Sequence, residues 1–245
     1  KTGFIGLGSM GEGMALNLAR KQFSLVLYDT REVQYRGFSE FGSEPAGSPA
    51  EVMREAATVL TVLPGPKEVE EVILGVDGLL DNAVAGDVIM DLSTVLPDTS
   101  DRLAAACAAK DVSFVDAPIG RLAQHAWEGT SMFMVGAHEE DFLKIRPQLE
   151  AMGTTIIHCG APGTGTRTKL CNNFLAIGSC MMNAEFVALT QGFGLDLTTT
   201  LEVIHGTTAT NGQLKINYAN KVFKGDIEPG FQINLAHKDL SLILD

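Results

Sequence analysis

The sequence has no apolar run of the roughly 18 residues needed to cross a bilayer, and no charged-then-apolar leader precedes its first strand-like segment. A membrane partner and a secreted address are not expected, and the chain reads as cytoplasmic. It also lacks the spacing of a disulfide frame or a zinc site. Cys107, Cys159, Cys171 and Cys180 are scattered without C-x-x-C spacing, as suits the reduced thiols of a reducing compartment. His125, His138, His158 and His205 show no metal-ligand spacing, and no metal is expected. Positive charge is scarce: 18 Lys and Arg face 30 Asp and Glu, a formal net charge of −12. A phosphate backbone needs a basic patch, so nucleic acid is excluded as a partner. Any anionic ligand must be met by local cations.

What is present is enough apolar material, 45% of 245 residues, to bury a sizeable core in one large domain or two modest ones. Strand patterns at 2–7, 24–28, 58–63, 87–92, 112–116, 131–135 and 154–158 alternate with helical patterns at 31–41, 48–56, 66–74, 96–110 and 139–151. Such alternation predicts a doubly wound parallel sheet with helices on both faces. After the glycine-rich loop at 160–165 the pattern changes. One long apolar helix is expected over 166–191, then shorter ones at 198–204, 213–222 and 235–244. The reading is an α/β domain over residues 1–160 and an all-helical substrate and oligomerisation domain over 161–245, its long helix forming one wall of an interdomain cleft. Both ends read as trimmed, with a C-terminal segment expected beyond Leu244-Asp245.

Gly6, Gly8 and Gly11 make G-x-G-x-x-G between the first strand and the helix that begins near Met10. The first glycine permits the tight turn, the second lets backbone approach a pyrophosphate, and the third lets helix and strand pack closely. The helix N-terminus then turns its amides toward the phosphates. Asp29 closes the second strand about 20 residues on, where a carboxylate accepts the ribose hydroxyls of NAD. Arg31 nearby suits the 2′-phosphate of NADP instead, and Asp29 also suits a helix N-cap. Asp29 carries more weight at a strand end, so the cofactor expected is NAD, as NADH in reduction.

Ligands of such sheets bind beyond the carboxyl ends of the strands. That edge also holds Leu63-Pro64, Ser93-Thr94 and the stretch Asp116-Ala117-Pro118-Ile119-Gly120-Arg121. The hydroxyls of Ser93 and Thr94 meet a ligand or cap the next helix. Arg121 has a planar fork suited to carboxylate, phosphate or sulfonate, or else pairs with a surface acid. On the long helix, Lys169, Asn172, Asn173 and Ala176 fall at i, i+3, i+4 and i+7, on one face. A lysine and two amides on an apolar helix point to a polar cavity, or to a solvated face. A desolvated lysine has a lowered pKa and suits proton transfer near neutrality.

With Gly3-Phe4-Ile5-Gly6-Leu7-Gly8-Ser9-Met10-Gly11, Asp91-Leu92-Ser93-Thr94, Asp116-Ala117-Pro118 with Gly129-Thr130, Gly163-Thr164-Gly165, Lys169 with Asn172-Asn173, and Lys238-Asp239-Leu240, the chain resembles the β-hydroxyacid dehydrogenases over nearly all its length. The resemblance implies a Rossmann-like NAD domain followed by the helical domain. It implies Lys169 as general acid and base, with Asn173 orienting the substrate and Ser93 reaching in beside it. Ser9, Met10, Asp29, Leu63, Pro64 and Thr94 would hold the cofactor, and Lys238 would reach its nicotinamide region. A homodimer or homotetramer built through the helical domains is implied as well.

Most of the family reads Ser-Gly-Gly where this chain has Gly120-Arg121-Leu122. Gly-Arg there resembles the sulfolactaldehyde reductase branch, where the arginine holds a sulfonate. Asn220-Lys221-Val222 with Gly225-Asp226 is similar to that branch too. That branch has a serine one turn past the paired asparagines, where this chain has Ala176. The substrate expected is a small anionic aldehyde or hydroxyacid bound by Arg121 and Asn172, either a sulfonate or a carboxylate semialdehyde of the succinic, tartronate or methylmalonate kind. The other class is a silent NAD-binding scaffold; relatives of that kind have lost the lysine that this chain keeps at Lys169.

Overall fold

The computed structural model describes residues 1–31 and 36–244, which form two compact units, 1–169 and 170–244. The first unit runs β1 (Thr2–Ile5), α1 (Gly11–Arg20), β2 (Leu25–Tyr28), α2 (Arg36–Ser39), β3 (Glu44–Pro45), α3 (Pro49–Glu55), β4 (Thr58–Thr61), α4 (Pro66–Leu74), α5 (Leu79–Asn82) and β5 (Val88–Asp91). It continues through α6 (Pro97–Ala108), β6 (Ser113–Asp116), β7 (Ile119–Gly120), α7 (Ala123–Glu128), β8 (Ser131–Gly136), α8 (Glu139–Met152), β9 (Gly153–Gly160) and the first turns of α9 (Thr164–Gly192). Part of the helix expected at 31–41, residues 32–35, lies outside the described residues.

The sheet runs β3-β2-β1-β4-β5-β6-β8-β7, with β9 paired to β8. Strand order reverses between β1 and β4, the switch point at which such sheets bind ligands. Successive side chains of a strand point to opposite faces, and the core divides accordingly. Phe4, Leu27, Leu60 and Met90 belong to one apolar cluster; Ile5, Val26, Val59 and Ile89 belong to the other. Burial on both faces makes these strands continuous apolar runs in the sequence.

The sheet is mainly parallel, as expected, with one antiparallel excursion. It is parallel from β3 through β6, but β8 runs antiparallel to β6 and β7, and β9 lies parallel to β8. Only residues 121–130 link β7 to β8, with the single short helix α7 among them. A parallel crossover needs a dozen residues or more, so a link this short returns the chain antiparallel.

The second unit holds the rest of α9, α10 (Leu197–His205), a π-helical segment (Gln213–Tyr218), a 3-10 turn (Val222–Lys224) and α11 (Ile233–Leu244). The α-helix expected over 213–222 is replaced by the π-helical segment and the 3-10 turn. The π-helical segment is pinned to α9 near both ends. Asn211 exchanges two amide hydrogen bonds with Asn183, and Tyr218 donates to the Cys180 carbonyl at 2.8 Å. Among the described residues no helix is long and apolar enough to cross a membrane.

Candidate active site

The glycine turn after β1 is tight at two points and open at a third. Gly6 has φ +94, and a β-carbon there would lie 2.1 Å from the Val62 carbonyl oxygen. A β-carbon on Gly11 would lie 1.9 Å from the Gly6 carbonyl oxygen. At Gly8 the nearest atom is an Arg31 guanidinium nitrogen at 3.9 Å, so space stands open above this residue. Exposed Ser9 and half-buried Met10 lead into α1, whose N-cap Met10 offers no side-chain cap. An open glycine beside uncapped helix amides fits a pyrophosphate. Gly13, which the sequence reading passed over, brings α1 onto α7: a β-carbon there would lie 2.9 Å from Trp127 backbone.

Asp29 holds this turn from the end of β2. Its carboxylate accepts from the Leu7 amide at 2.7 Å and from the Arg31 amide at 2.8 Å. The Arg31 guanidinium donates to both carboxylate oxygens and to the Leu7 carbonyl. Burial works against ionisation of Asp29, but these donors outweigh it and hold its pKa below the usual carboxylate value. The side chain thus makes an Asx turn onto Arg31, and both candidates for the ribose end lie beside the glycines.

Two further loops are tied together beneath the sheet edge. Ser93 is buried; its hydroxyl donates to Asp91 at 2.6 Å and accepts from the Leu63 amide at 2.9 Å. Asp91 also accepts from the Thr61 hydroxyl at 2.7 Å. Half-buried Leu63 and Thr94, with exposed Pro64, are therefore carried on loops joined by Ser93 and Asp91. Ser93 does not cap the next helix, because α6 starts at Pro97 after Leu96 with no side-chain cap. Asp91 had no role assigned from sequence. Its signal was a carboxylate closing a strand that is buried on both faces, where it needs partners.

Lys169 lies half-buried on the first turns of α9, its ammonium donating to the Ile119 carbonyl at 2.7 Å. The start of α9 is held by Asp116, at the end of β6. That carboxylate accepts from the amides of Gly163 and Thr166, each at 2.6 Å. Burial pushes the Asp116 pKa up to about 6, although both amides oppose the shift. Arg121, just past β7, adopts φ +75. Its guanidinium donates to the Thr130 carbonyl and to the hydroxyls of Thr154 at 3.2 Å and Thr155 at 3.1 Å. It is thus fixed by neutral acceptors rather than by a surface acid, which leaves its charge uncompensated by these bonds.

The second unit contributes its own polar cluster. On α9, Asn172 donates to the Asn173 side chain at 3.0 Å, and Asn173 donates to Asp239 at 2.5 Å. Asp239 also pairs with Lys238 at 3.1 Å, both on α11. Asn173 is 6% exposed and Asp239 is 3% exposed, so the amide orientation of Asn173 is set by a buried carboxylate. Asn172 is exposed and Ala176 half-buried. The structure therefore groups the glycine turn with Asp29, Ser93 with Leu63, Lys169 with Ile119, and Asn172 and Asn173 with Lys238 through Asp239.

Two family models match the chain in succession. Residues 1–160 match the NAD-binding domain of 6-phosphogluconate dehydrogenase, and residues 163–245 match the NAD-binding model of NADP-dependent 3-hydroxyisobutyrate dehydrogenase. The chain is 36% identical over 242 residues to 3-sulfolactaldehyde reductase of Escherichia coli, covering 99% of this chain and 81% of that protein. It is 34% identical over 245 residues to 2-(hydroxymethyl)glutarate dehydrogenase of Eubacterium barkeri, covering 100% and 81%. The solved structure of Mycobacterium tuberculosis 3-hydroxyisobutyrate dehydrogenase with L-serine superposes at a TM-score of 0.91, with 31% identity, over 100% of this chain and 85% of that one.

Proposed function

Since the chain belongs to the β-hydroxyacid dehydrogenases, NAD(P)-linked oxidoreductases acting on CH–OH groups, we propose that it reduces small anionic aldehydes with NADH. The observation that carries this reading is Lys169, an ammonium held by the Ile119 carbonyl one turn before Asn172 and Asn173 on a continuous helix. The nicotinamide, when bound, supplies or receives the hydride. Lys169 gives a proton to the carbonyl oxygen as negative charge gathers there, and in oxidation takes it back. Asn173, its amide fixed by Asp239, orients that oxygen. Gly6, Gly8, Ser9, Met10 and Gly11 with the α1 amides hold the pyrophosphate, Asp29 the ribose, and Leu63, Pro64, Thr94 and Lys238 the nicotinamide end. Ser93 acts through the Leu63 loop that it braces.

For the substrate's acidic end we read a sulfonate, as in 3-sulfolactaldehyde. Arg121 meets either acid with the same planar fork, and what supports the sulfonate is the likeness of Gly120-Arg121 to the sulfolactaldehyde reductase branch, together with 36% identity to one such reductase. Ala176, where a second donor is expected, favours the carboxylate alternative. Catalytic efficiencies on 3-sulfolactaldehyde and on succinic, tartronate and methylmalonate semialdehydes decide between them. A carboxylate preferred by more than about tenfold, roughly 1.4 kcal/mol of transition-state binding, overturns the sulfonate reading. Silence on all four with NADH still bound revives the scaffold. Lys169→Ala should cost at least about a hundredfold in turnover with NADH affinity retained; near-full turnover would remove Lys169 from the chemistry.

A further inference from the structure

We infer that Asp116 is the positioning residue for Lys169, fixing the first turn of α9 so that the ammonium meets the segment carrying Ile119. The inference rests on the proton-transfer role read for Lys169 above. Asp116 closes β6, and Ile119 opens β7 three residues later; Thr166 precedes Lys169 by the same interval. Three bonds tie these stretches together. The carboxylate takes the Gly163 and Thr166 amides, and the Ile119 carbonyl takes the Lys169 ammonium. The helix start and the strand β7 that bears Lys169's partner therefore form one closed unit, with Asp116 as its inner corner.

The surroundings leave this carboxylate little freedom. Asp116 is 1% exposed. A β-carbon on Gly136 would lie 2.3 Å from its side-chain oxygen, and one on Gly165 would lie 2.6 Å from its backbone carbonyl oxygen. Glycine at both positions lets the helix start settle directly onto β6 and β8. A buried carboxylate that takes one first-turn amide, Thr166, and the amide of Gly163 just before the helix does what an N-cap does, but from another strand. The same turn is braced separately from α6. Thr166 and Ser100 share a hydrogen bond between hydroxyls at 2.9 Å, and Arg167 bridges Asp101 with two bonds at 2.9 and 2.8 Å. Losing the carboxylate should therefore loosen and shift this turn without unfolding it. A displacement near 1 Å at a group in the reacting geometry costs about a hundredfold in rate.

The test compares the intact chain with Asp116→Asn and Asp116→Ala. Lysine amines are labelled with trace acetic anhydride and read by mass spectrometry, and kcat, KM and NADH affinity are measured with 3-sulfolactaldehyde and the three semialdehydes. Labelling of Lys169 should rise at least about threefold relative to Lys1 and Lys110 in the alanine variant, as a loosened turn exposes the amine. The kcat should fall about a hundredfold in Asp116→Ala and about tenfold in Asp116→Asn, which keeps one acceptor, with NADH affinity within about twofold. Should the alanine variant fail to fold, the isosteric asparagine variant carries the same comparison. Unchanged Lys169 labelling overturns the inference whatever the rates do. A rise in labelling with undiminished kcat leaves Asp116 as the residue that places Lys169, and it is then the proton-transfer role of Lys169 that falls. If the chain turns over none of the aldehydes, labelling alone still decides.

Discussion

Arg121 occupies a left-handed backbone conformation, φ +75, that costs a side-chain-bearing residue about 1 kcal/mol. The cost is local and is met where a guanidinium can be fixed by Thr130, Thr154 and Thr155. Arg121→Gly relieves the strain but frees the unfolded chain by a similar amount. The melting temperature should therefore stay within a few degrees, while KM for the anionic aldehyde rises at least about tenfold. An unchanged KM in steady-state kinetics would remove Arg121 from substrate binding. Asp116 carries a second residue-scale consequence, in stability. Its folded pKa lies near 6 against an ordinary 3.8, so between those values the folded chain binds more protons than the unfolded one. The stability it contributes is complete below pH 3.8 and is lost as pH rises through about 6. Urea unfolding of the wild type and Asp116→Asn between pH 4 and 7 should show the wild type losing up to roughly 3 kcal/mol against the variant. A difference that does not vary with pH excludes a raised Asp116.

At the scale of elements, α1 separates packing from binding on one short helix. A β-carbon on Gly13 meets backbone of Trp127 and Ala126 at 2.9 to 3.0 Å, so α1 and α7 must part to admit it. Gly13→Ala should destabilise the fold by about 1–3 kcal/mol, read from chemical unfolding. Gly8→Ala meets only the far end of Arg31, at 3.9 Å. It should leave the melting temperature of the free protein unchanged and weaken NADH at least about tenfold, because it fills the space left for the pyrophosphate. Equal effects of the two changes on NADH binding would contradict this division. The same contrast accounts for what was legible in the sequence. The glycines, Asp29 and the Lys169 to Asn173 spacing are local signals, read along one turn or helix. Strands β1, β4 and β5 were legible because burial on both faces leaves an unbroken apolar run. Strands β3 and β7 have two residues each and helices α5 and α7 have four and six, too short for any period to register. The direction of β8 hung on a link length. The contacts of Asp116 with Thr166 and of Asp239 with Asn173 join residues 50 and 66 positions apart, and no local pattern carries such pairings.

At the scale of the molecule, the chain combines a net charge of −12 with a long helix that leaves apolar residues uncovered. On α9, Phe174 and Met181 are exposed, as are Leu175, Met182 and Leu189, each series recurring every seventh residue. Side chains at that interval lie on one helix face, and the pattern is that of a seam between helices. Single exposed apolar residues are ordinary, but a contiguous stripe marks an interaction surface. Charge repulsion opposes association, yet it is screened beyond about 8 Å at physiological salt, whereas apolar burial is not. We propose that copies of the chain associate through α9, as a homodimer or homotetramer. Light scattering coupled to size exclusion should give at least twice the mass of one chain. Leu175→Glu with Met182→Glu, two charges set into the stripe, should shift the equilibrium toward the single chain by at least about tenfold in dissociation constant. Raising the salt concentration should leave the wild-type assembly intact. A wild-type chain that stays single at micromolar concentration, or an assembly indifferent to both charges, would show that this stripe is not the surface that joins the copies.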